Sequence, residues 1–343
     1  MTRRVTIADI AAAAGVSKGA VSYALNGRPG VSDTTRAKIL AIAAEMGFVP
    51  NRAARSLSVS SAQAVGIALR RSARTLGIEP YFMELISGIE STLSAGSFGL
   101  TLQIVDTVEA ELEVYRRWWA ERRVDGVLLC DVGTDDRRLD YIADLGLPAV
   151  AVGGPVQGAR LPAVWHDDAA PCREILEYLH ALGHRRIARV AGFEHLLHTA
   201  IRDRAYAETA AGLDLESMET HHSDYTGEQS ARITRRILSS SKRPTAIIFD
   251  NDVTAVAGLG VAHELGIGVP DQLSIVAWDD SPLCRLTHPA LTSLTRDITA
   301  YGSQCAEVLL SVIGAEPQAD RAFSVQSRPA QLSPRGSTAP ART

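Results

Sequence analysis

The chain has 343 residues, a formal net charge of −4, 46% hydrophobic residues and 5% aromatic ones, a length that suits two or three globular units with cores of their own. No run approaches the ~18 uncharged apolar residues of a membrane span, which excludes an integral membrane protein. Cys130, Cys172, Cys284 and Cys305 lie far apart without a CxxC pair, so neither a disulfide framework nor a structural zinc site is expected, and a reducing compartment is.

The charge is unevenly divided. Residues 1–60 hold eight Lys and Arg against three acids, a balance of +5, and the rest holds 27 against 36, a balance of −9. A small basic head on a large acidic body confines sequence-blind attraction to nucleic acid to the head. Met1-Thr-Arg-Arg4 before an Ala-rich stretch has the outline of a secretion signal, but Asp9 interrupts a short apolar run and no cleavage pattern follows. Export is not expected.

In the head, Thr6 with Asp9 forms a near capping box for a helix that stops at Gly15. Ser17 caps a second helix, Lys18 to Leu25, with Val21 and Leu25 on one face. Asn26-Gly27-Arg28-Pro29-Gly30 reads as a loop, and Ser32 caps a third helix running to about Met46. Short helices with a Gly-containing turn between the first two form a helix-turn-helix, whose second helix enters the major groove.

Val5-Thr-Ile-Ala-Asp-Ile-Ala11, Ala14-Gly-Val-Ser17, Ala20-Val-Ser22, Leu25-Asn26, Val31-Ser32 and the run Gly47-Phe-Val-Pro-Asn-Arg-Ala-Ala-Arg-Ser-Leu57 together resemble the head and hinge helix of the LacI/GalR family of bacterial transcription regulators. The resemblance implies that Lys18, Gly19 and Tyr23 stand where such proteins reach base edges. Gly19 offers no side chain, and the family often has Arg at the place of Tyr23, so operator preference is this chain's own. Lys18 suits guanine acceptors, and Tyr23 suits a thymine methyl or a hydroxyl bond. Thr6, Ser17, Ser22, Asn26, Ser32 and Thr35 suit phosphate contacts; capping is the ordinary alternative, and caps near a duplex also present amide donors. Asn51 is a candidate cap for the hinge helix, and Ala54 is small enough for a minor groove. By resemblance, Leu57 from two subunits wedges into a central base step; otherwise it packs on its own body.

From Ala64 apolar runs alternate with amphipathic helices. The runs are Ala64–Leu69, Leu100–Val105, Gly126–Cys130, Ala149–Val152, Ala163–His166, Ile187–Ala191, Thr245–Phe249 and Leu273–Ala277. Repeated βα units give open parallel sheets, and two sets give two lobes with a ligand crevice at the strands' carboxyl ends. Leu291–Leu294 and the helix Thr299–Ile313 are expected to return to the first lobe. Pro80-Tyr-Phe82, Gly88-Ile-Glu90, Arg123-Val-Asp-Gly-Val127, Leu182-Gly-His-Arg-Arg-Ile187 and Pro289-Ala-Leu-Thr292 resemble the family's periplasmic-binding-protein-like core.

The expected organisation is therefore an all-α helix-turn-helix head (1–50), a hinge helix and linker (51–63), and an α/β two-lobed core (64–330). Lobe 1 covers about 64–162 and 292–323, lobe 2 about 163–291 and 324–330; residues 331–343, rich in Pro, Ser and Arg, are expected to be disordered. Candidate effector-binding residues are Arg70, Tyr81, Phe82, Asp131, Arg202, Asn251 and Asp279. Arg202 resembles the family's effector arginine, against a salt bridge to Asp203 or Glu208. Asn251 follows a strand and competes with a capping role; Asp279 resembles a sugar-binding carboxylate. Tyr81 and Phe82 suit stacking on an apolar ligand face, with core packing equally suited to Phe82. Arg70, with Arg71 and Arg74, forms a lip suited to an anionic effector, or an interface or solvated face.

No GxxxxGK[ST] or HExxH occurs and no nucleophile is paired with a base, so no enzyme, cofactor or metal is implied. The expectation is a cytoplasmic, nucleoid-associated homodimer that binds a palindromic operator in double-stranded DNA. It would most simply repress carbohydrate genes under a sugar or sugar-derived effector. A purine- or nucleoside-type co-repressor on the same fold, and a sugar receptor without DNA activity, are the alternatives; the basic head argues against the last.

Overall fold

The computed structural model describes residues 5–48, 61–71, 76–156, 158, 160–315 and 322–342, and the chain divides into two compact units, Met1–Gln63 and Ala64–Thr343. The first contains α1 (Ile7–Ala14), α2 (Lys18–Leu25) and α3 (Asp33–Glu45). Hydroxyls set each start: Thr6 and Asp9 complete the capping box, while Ser17 and Ser32 accept from Ala20 N and Thr35 N. Gly15, at φ 69°, ends α1 in the left-handed region. Ile10, Val21 and Ile39 are fully buried between the helices, and Lys38 Nζ donates to Ala14 O at 3.0 Å, tying α3 to the end of α1.

The second unit opens with β1 (Ala64–Leu69), α4 (Pro80–Ala95), β2 (Gly99–Ile104), α5 (Val108–Ala120), β3 (Gly126–Leu129), α6 (Arg137–Leu145), β4 (Ala149–Val152) and β5 (Ala163–Trp165). It continues with α7 (Ala169–Ala181), β6 (Arg186–Ala191), α8 (Leu197–Ala211), β7 (Ser217–His222), α9 (Gly227–Leu238), β8 (Ala246–Phe249), α10 (Asp252–Glu264) and β9 (Ser274–Ala277). Last come α11 (Pro282–Leu286), β10 (Thr292–Thr295), α12 (Ile298–Gly314), β11 (Ser324–Gln326) and β12 (Gln331–Ser333). Among the described residues these strands make two six-stranded sheets, ordered β11-β5-β4-β3-β1-β2 and β12-β10-β9-β8-β6-β7. β12 runs antiparallel to β10, and the other pairings are parallel. The central strands β3, β4, β8 and β9 are buried throughout, as sheets with helices on both faces require. In the first lobe α4 and α12 cross in contact: a Cβ on Gly88 would stand 1.9 Å from Thr299 O, and one on Gly302 2.2 Å from Leu85 O. Glycine is what lets the two backbones meet there.

The lobe boundaries differ from the sequence expectation in three places, and the C-terminal stretch in a fourth. β5, assigned to the second lobe, is a strand of the first sheet, so the chain changes lobe after Trp165 rather than before Ala163. β10 stays in the second sheet beside β9, and the return to the first lobe is made by α12. β11, within a segment assigned to lobe 2, pairs with β5 in the first sheet. The C-terminal stretch expected to be disordered is ordered through Arg342. Ser337, with no exposure, donates to Ile275 O at 2.6 Å and accepts from Thr292 N at 2.8 Å; Arg335 grips Asp280 at 2.7 Å through both terminal nitrogens. Its composition lacks apolar mass for a core, but hydroxyls and a guanidinium that satisfy buried sheet groups order a polar segment equally well.

Candidate functional site

Two surfaces carry chemistry. In the head, α2 buries Val21 and Ala24 and leaves Lys18, Gly19 and Tyr23 exposed, with Ser22 half-buried. A Cβ on Gly30 would meet Tyr23 Cδ2 at 3.2 Å, so the Tyr23 ring leans on the loop before α3 and has a defined direction. Asn26 is committed to closing α2, its Nδ2 donating to Ser22 O at 2.9 Å. Thr35 Oγ1 lies 2.8 Å from Ser32 Oγ. Thr6, Ser17 and Ser32 are all caps at helix starts, where amide donors and the helix dipole favour phosphate oxygens. Asn51, Ala54 and Leu57 lie outside the described residues.

The second surface is a cleft built where strands end. Arg71 follows β1, Cys130 and Asp131 follow β3, and Gly153 follows β4; Asp250 and Asn251 follow β8, and Asp279 lies two residues beyond β9. Asp168 lies beyond β5, Tyr225 beyond β7 and Arg296 beyond β10; α4 adds Tyr81, Phe82 and Leu85, Glu79 precedes it, and α8 adds His198 and Arg202. Parallel strands bring their carboxyl ends to one edge, which is why ligand crevices form there. The space between these residues is about 640 Å³, counted together with the solvent at its mouth. Asp131, Tyr225 and Asp279 hold φ of 51°, 62° and 69°, so left-handed backbone strain is concentrated at the cleft.

The arginines of this cleft are already paired. Arg71 is 3.0 Å from Asp131 and Arg296 2.6 Å from Asp279. Arg202 donates to Asp168 at 2.9 Å, lies 3.5 Å from Asp250, and stacks 3.7 Å from the Trp278 ring centroid. Asp250 also takes two bonds from the buried Arg189 at 2.7 and 2.6 Å. The lining sets Arg71, Arg202 and Arg296 against Glu79, Asp131, Asp168, Asp250 and Asp279, three formal positive charges against five negative. Burial pushes Asp168 and Asp250 up, but Arg202 at the first, and Arg189 with Arg202 at the second, outweigh it and hold both below the usual carboxylate range. Burial, then Arg202, lowers His198 to about 4; its neutral ring bonds the Tyr225 hydroxyl at 2.9 Å. Arg71 reaches from the first lobe into an aromatic cage, its guanidinium carbon 5.6, 5.1 and 5.3 Å from the Phe82, Phe193 and Tyr225 ring centroids.

Residues 6–51 match the model of bacterial regulatory proteins of the lacI family, and residues 176–338 match a periplasmic binding protein-like domain. The HTH-type transcriptional regulator CelR of Thermobifida fusca is 30% identical over 318 residues, 92% of this chain and 93% of that protein. The chain belongs to the LacI family. It is a DNA-binding transcription regulator with an effector domain, and the family is one of regulators rather than enzymes. A solved CelR–cellobiose complex covers 97% of this chain and 100% of its own at 27% identity and a TM-score of 0.72. The lac repressor dimer bound to operator and an anti-inducer shares the fold at a TM-score of 0.83, with 24% identity over 98% of this chain and 100% of that one.

For this LacI-family chain, the structure brings Tyr81, Phe82, Asp131, Arg202, Asn251 and Asp279 together in one cleft. Arg70 is not with them. Side chains alternate faces along an extended chain, so Arg71 enters the cleft while Arg70 turns away, 2.8 Å from Glu111 of α5. The cationic lip expected from Arg70 and Arg71 for an anionic effector is thus dismantled, and Arg74 lies outside the described residues. Arg202 pairs with Asp168 and Asp250, whereas Asp203 bonds Arg189 and, at 3.0 Å, His222. Asn251 both caps α10 and lines the cleft. Phe82 is core and lining at once. Sequence reasoning passed over Glu79, Asp168, Asp250 and Arg296; Asp250, directly after β8, was recoverable from its strand-end position, the others only from tertiary placement.

Proposed function

We propose that this regulator is a cytoplasmic homodimeric repressor of carbohydrate genes whose effector is a neutral, polyhydroxylated sugar. The observation carrying the reading is the paired charge of the cleft. Each lining arginine already faces a carboxylate, and the lining holds more acids than bases, so an anionic effector would meet no unpaired cation. Neutral hydroxyls can share these charged donors and acceptors, and Tyr81, Phe82 and Tyr225 offer ring faces of the kind sugars stack on. The cellobiose held by CelR supports the same class. Val256, Leu259, Ile267, Val269 and Pro289 line a depression together with His263, Thr287 and His288, and Leu265 and Leu286, close in sequence to that lining, are 42% and 76% exposed; exposed apolar surface of this kind supports self-association. Two heads would then place Lys18, Gly19 and Tyr23 on half-sites of a palindrome. Asn51, Ala54 and Leu57 would form the hinge, with Leu57 wedging the central step.

The test is capture of fragmented source genome by the purified protein, followed by operator titration with and without sugars. A two-fold-symmetric site beside sugar genes, released by a neutral sugar and unaffected by its phosphorylated form, is expected. Operator affinity that stays equal under neutral sugars and changes under a phosphorylated sugar or a purine refutes the effector class.

A further inference from the structure

The hydrogen bonding of the cleft is nearly closed on itself. Among its described lining side chains, three buried polar atoms make no hydrogen bond of ordinary length to protein: Arg71 Nε, Glu79 Oε2 and Asn251 Nδ2, the Asn251 amide lying near enough to Glu79 only to pull weakly on its carboxyl. Two are donors and one is an acceptor. They come from both lobes, Arg71 and Glu79 from the first and Asn251 from the second. The direction of the Asn251 amide is fixed, because Oδ1 accepts from Thr254 N at 2.8 Å and from Thr254 Oγ1 at 2.7 Å, leaving Nδ2 as the atom that faces inward. Glu79, 7% exposed, precedes α4 without capping it and forms no ion pair among the described residues. Every other lining carboxylate has an arginine. Leaving such atoms unmatched in a buried site is costly, and a ligand that satisfies them gains what the protein alone lacks.

A hydroxyl carries one proton to donate and two lone pairs to accept, which is the complement of one acceptor and two donors. Resting on the carbohydrate reading above, we propose that Glu79 selects the ligand: its carboxylate accepts a hydrogen bond from one sugar hydroxyl, whose oxygen accepts from Asn251 Nδ2 and Arg71 Nε. Once Glu79 is ionised, a phosphate dianion or a carboxylate has no proton to offer it, and an ammonium group has no lone pair for the two donors. The site therefore discriminates by hydrogen-bond sense.

A second consequence follows from charge. Burial raises Glu79 to about 7, against the pull of Arg71 beyond β1 and the amide of Asn251, and with Asp131 and Asp279 adding to the rise. A hydroxyl donating to the carboxylate favours its ionised form, so binding lowers that pKa and expels a proton. Affinity then increases with pH up to about 7 and is flat above it.

Calorimetry of the full chain with cellobiose, and with maltose as a second probe, in buffers of different ionisation enthalpy reads this directly. Proton release at about pH 6.5, absent at about pH 8.5, is expected. Glu79→Gln should bind at least about tenfold more weakly at the higher pH, with no proton release at either. A sugar that binds the native chain without proton release, or with uptake, overturns the assignment of Glu79 while leaving the carbohydrate reading intact. So does a Glu79→Gln chain with native affinity and native proton coupling. No binding of either sugar, with binding of a sugar phosphate, overturns the carbohydrate reading and this proposal together.

Discussion

Arg202→Met removes a single positive charge from between two buried carboxylates while keeping most of the side-chain volume. Arg202 is 4% exposed, donates to Asp168 at 2.9 Å, stands 3.5 Å from Asp250 and covers the Trp278 ring. Asp250 retains Arg189, so the main loss falls on Asp168, which is 5% exposed and has no other arginine within ion-pair distance among the described residues. Breaking a buried pair by removing one partner costs about 3–5 kcal/mol. For a core of this size, each kcal/mol moves the melting temperature by ~2–4 °C, so a fall of about 6–20 °C is expected by calorimetric scanning at neutral pH. The sign with pH is fixed. In the native chain Asp168 is held low, so its stabilising contribution is present above the unfolded value of ~3.9 and lost as pH falls through the folded one. In the variant the largest opposing charge is gone and the more distant Arg296 is left to counter burial, so Asp168 protonates at higher pH than in the native chain. The gap between native and variant chains must therefore narrow from pH 7 towards about pH 4. Asp168→Asn should restore part of the lost stability in the Arg202→Met background, because the unpaired charge is then gone. A variant melting within about 2 °C of the native chain, or a gap that widens in acid, refutes the reasoning.

Gly88→Ala forces a methyl group into the backbone of α12, where the obstructing atom is Thr299 O at 1.9 Å. No rotamer relieves that, so a loss of about 1–3 kcal/mol or more is expected in chemical denaturation, against near-neutrality for Gly260→Ala, whose Cβ position is open. Arg335→Ala leaves Asp280, whose side chain is 5% exposed, without its bidentate partner, and should lower the melting temperature by several degrees; no change would mean the C-terminal segment is dispensable to the second sheet. Lys18→Ala should relax operator preference at one base position, at about 1–3 kcal/mol, if Lys18 reads a base edge. Thr35→Ala should weaken all operators alike, and anisotropy titrations on single-base operator variants separate the two.

Elements with strong local chemistry were legible from sequence: capped helices in the head, continuous apolar runs for buried strands, and the strand-end rule that places Asn251 and Asp279. What escaped lacked a local signal. β7 is an edge strand, Ser-Met-Glu-Thr-His-His, half-exposed along its length, and shows no apolar run. Which sheet β5, β10 and β11 join depends on where the chain crosses between lobes, and pairing partners leave no trace in a three- or four-residue segment. Arg70 and Arg71 show how sharp the limit is, since a shift of one residue exchanges the cleft for a salt bridge to Glu111. Glu79 is a lone acid before a proline, and only the packing of both lobes around it makes it a buried carboxylate.

The same packing bears on how an effector would act. The two lobes are joined by chain crossings beyond β5, β10 and β11 and also touch across the cleft. Leu197 N donates to Val132 O at 2.9 Å, Thr134 N to His195 O at 3.1 Å, and Arg71 of the first lobe lies against Phe193 and Tyr225 of the second. These contacts hold the two lobes against each other beside the cleft. A ligand shifts a conformational equilibrium only by its differential affinity for the two states, and, of the unmatched atoms, Arg71 Nε and Glu79 Oε2 belong to the first lobe and Asn251 Nδ2 to the second. A ligand that satisfies all three therefore adds its binding energy to the arrangement that keeps both lobes around it, and one that reaches a single lobe does not. If lobe closure alters the hold on operator, linkage requires operator to alter sugar affinity by the same factor. Sugar titration with and without operator measures that factor from both sides.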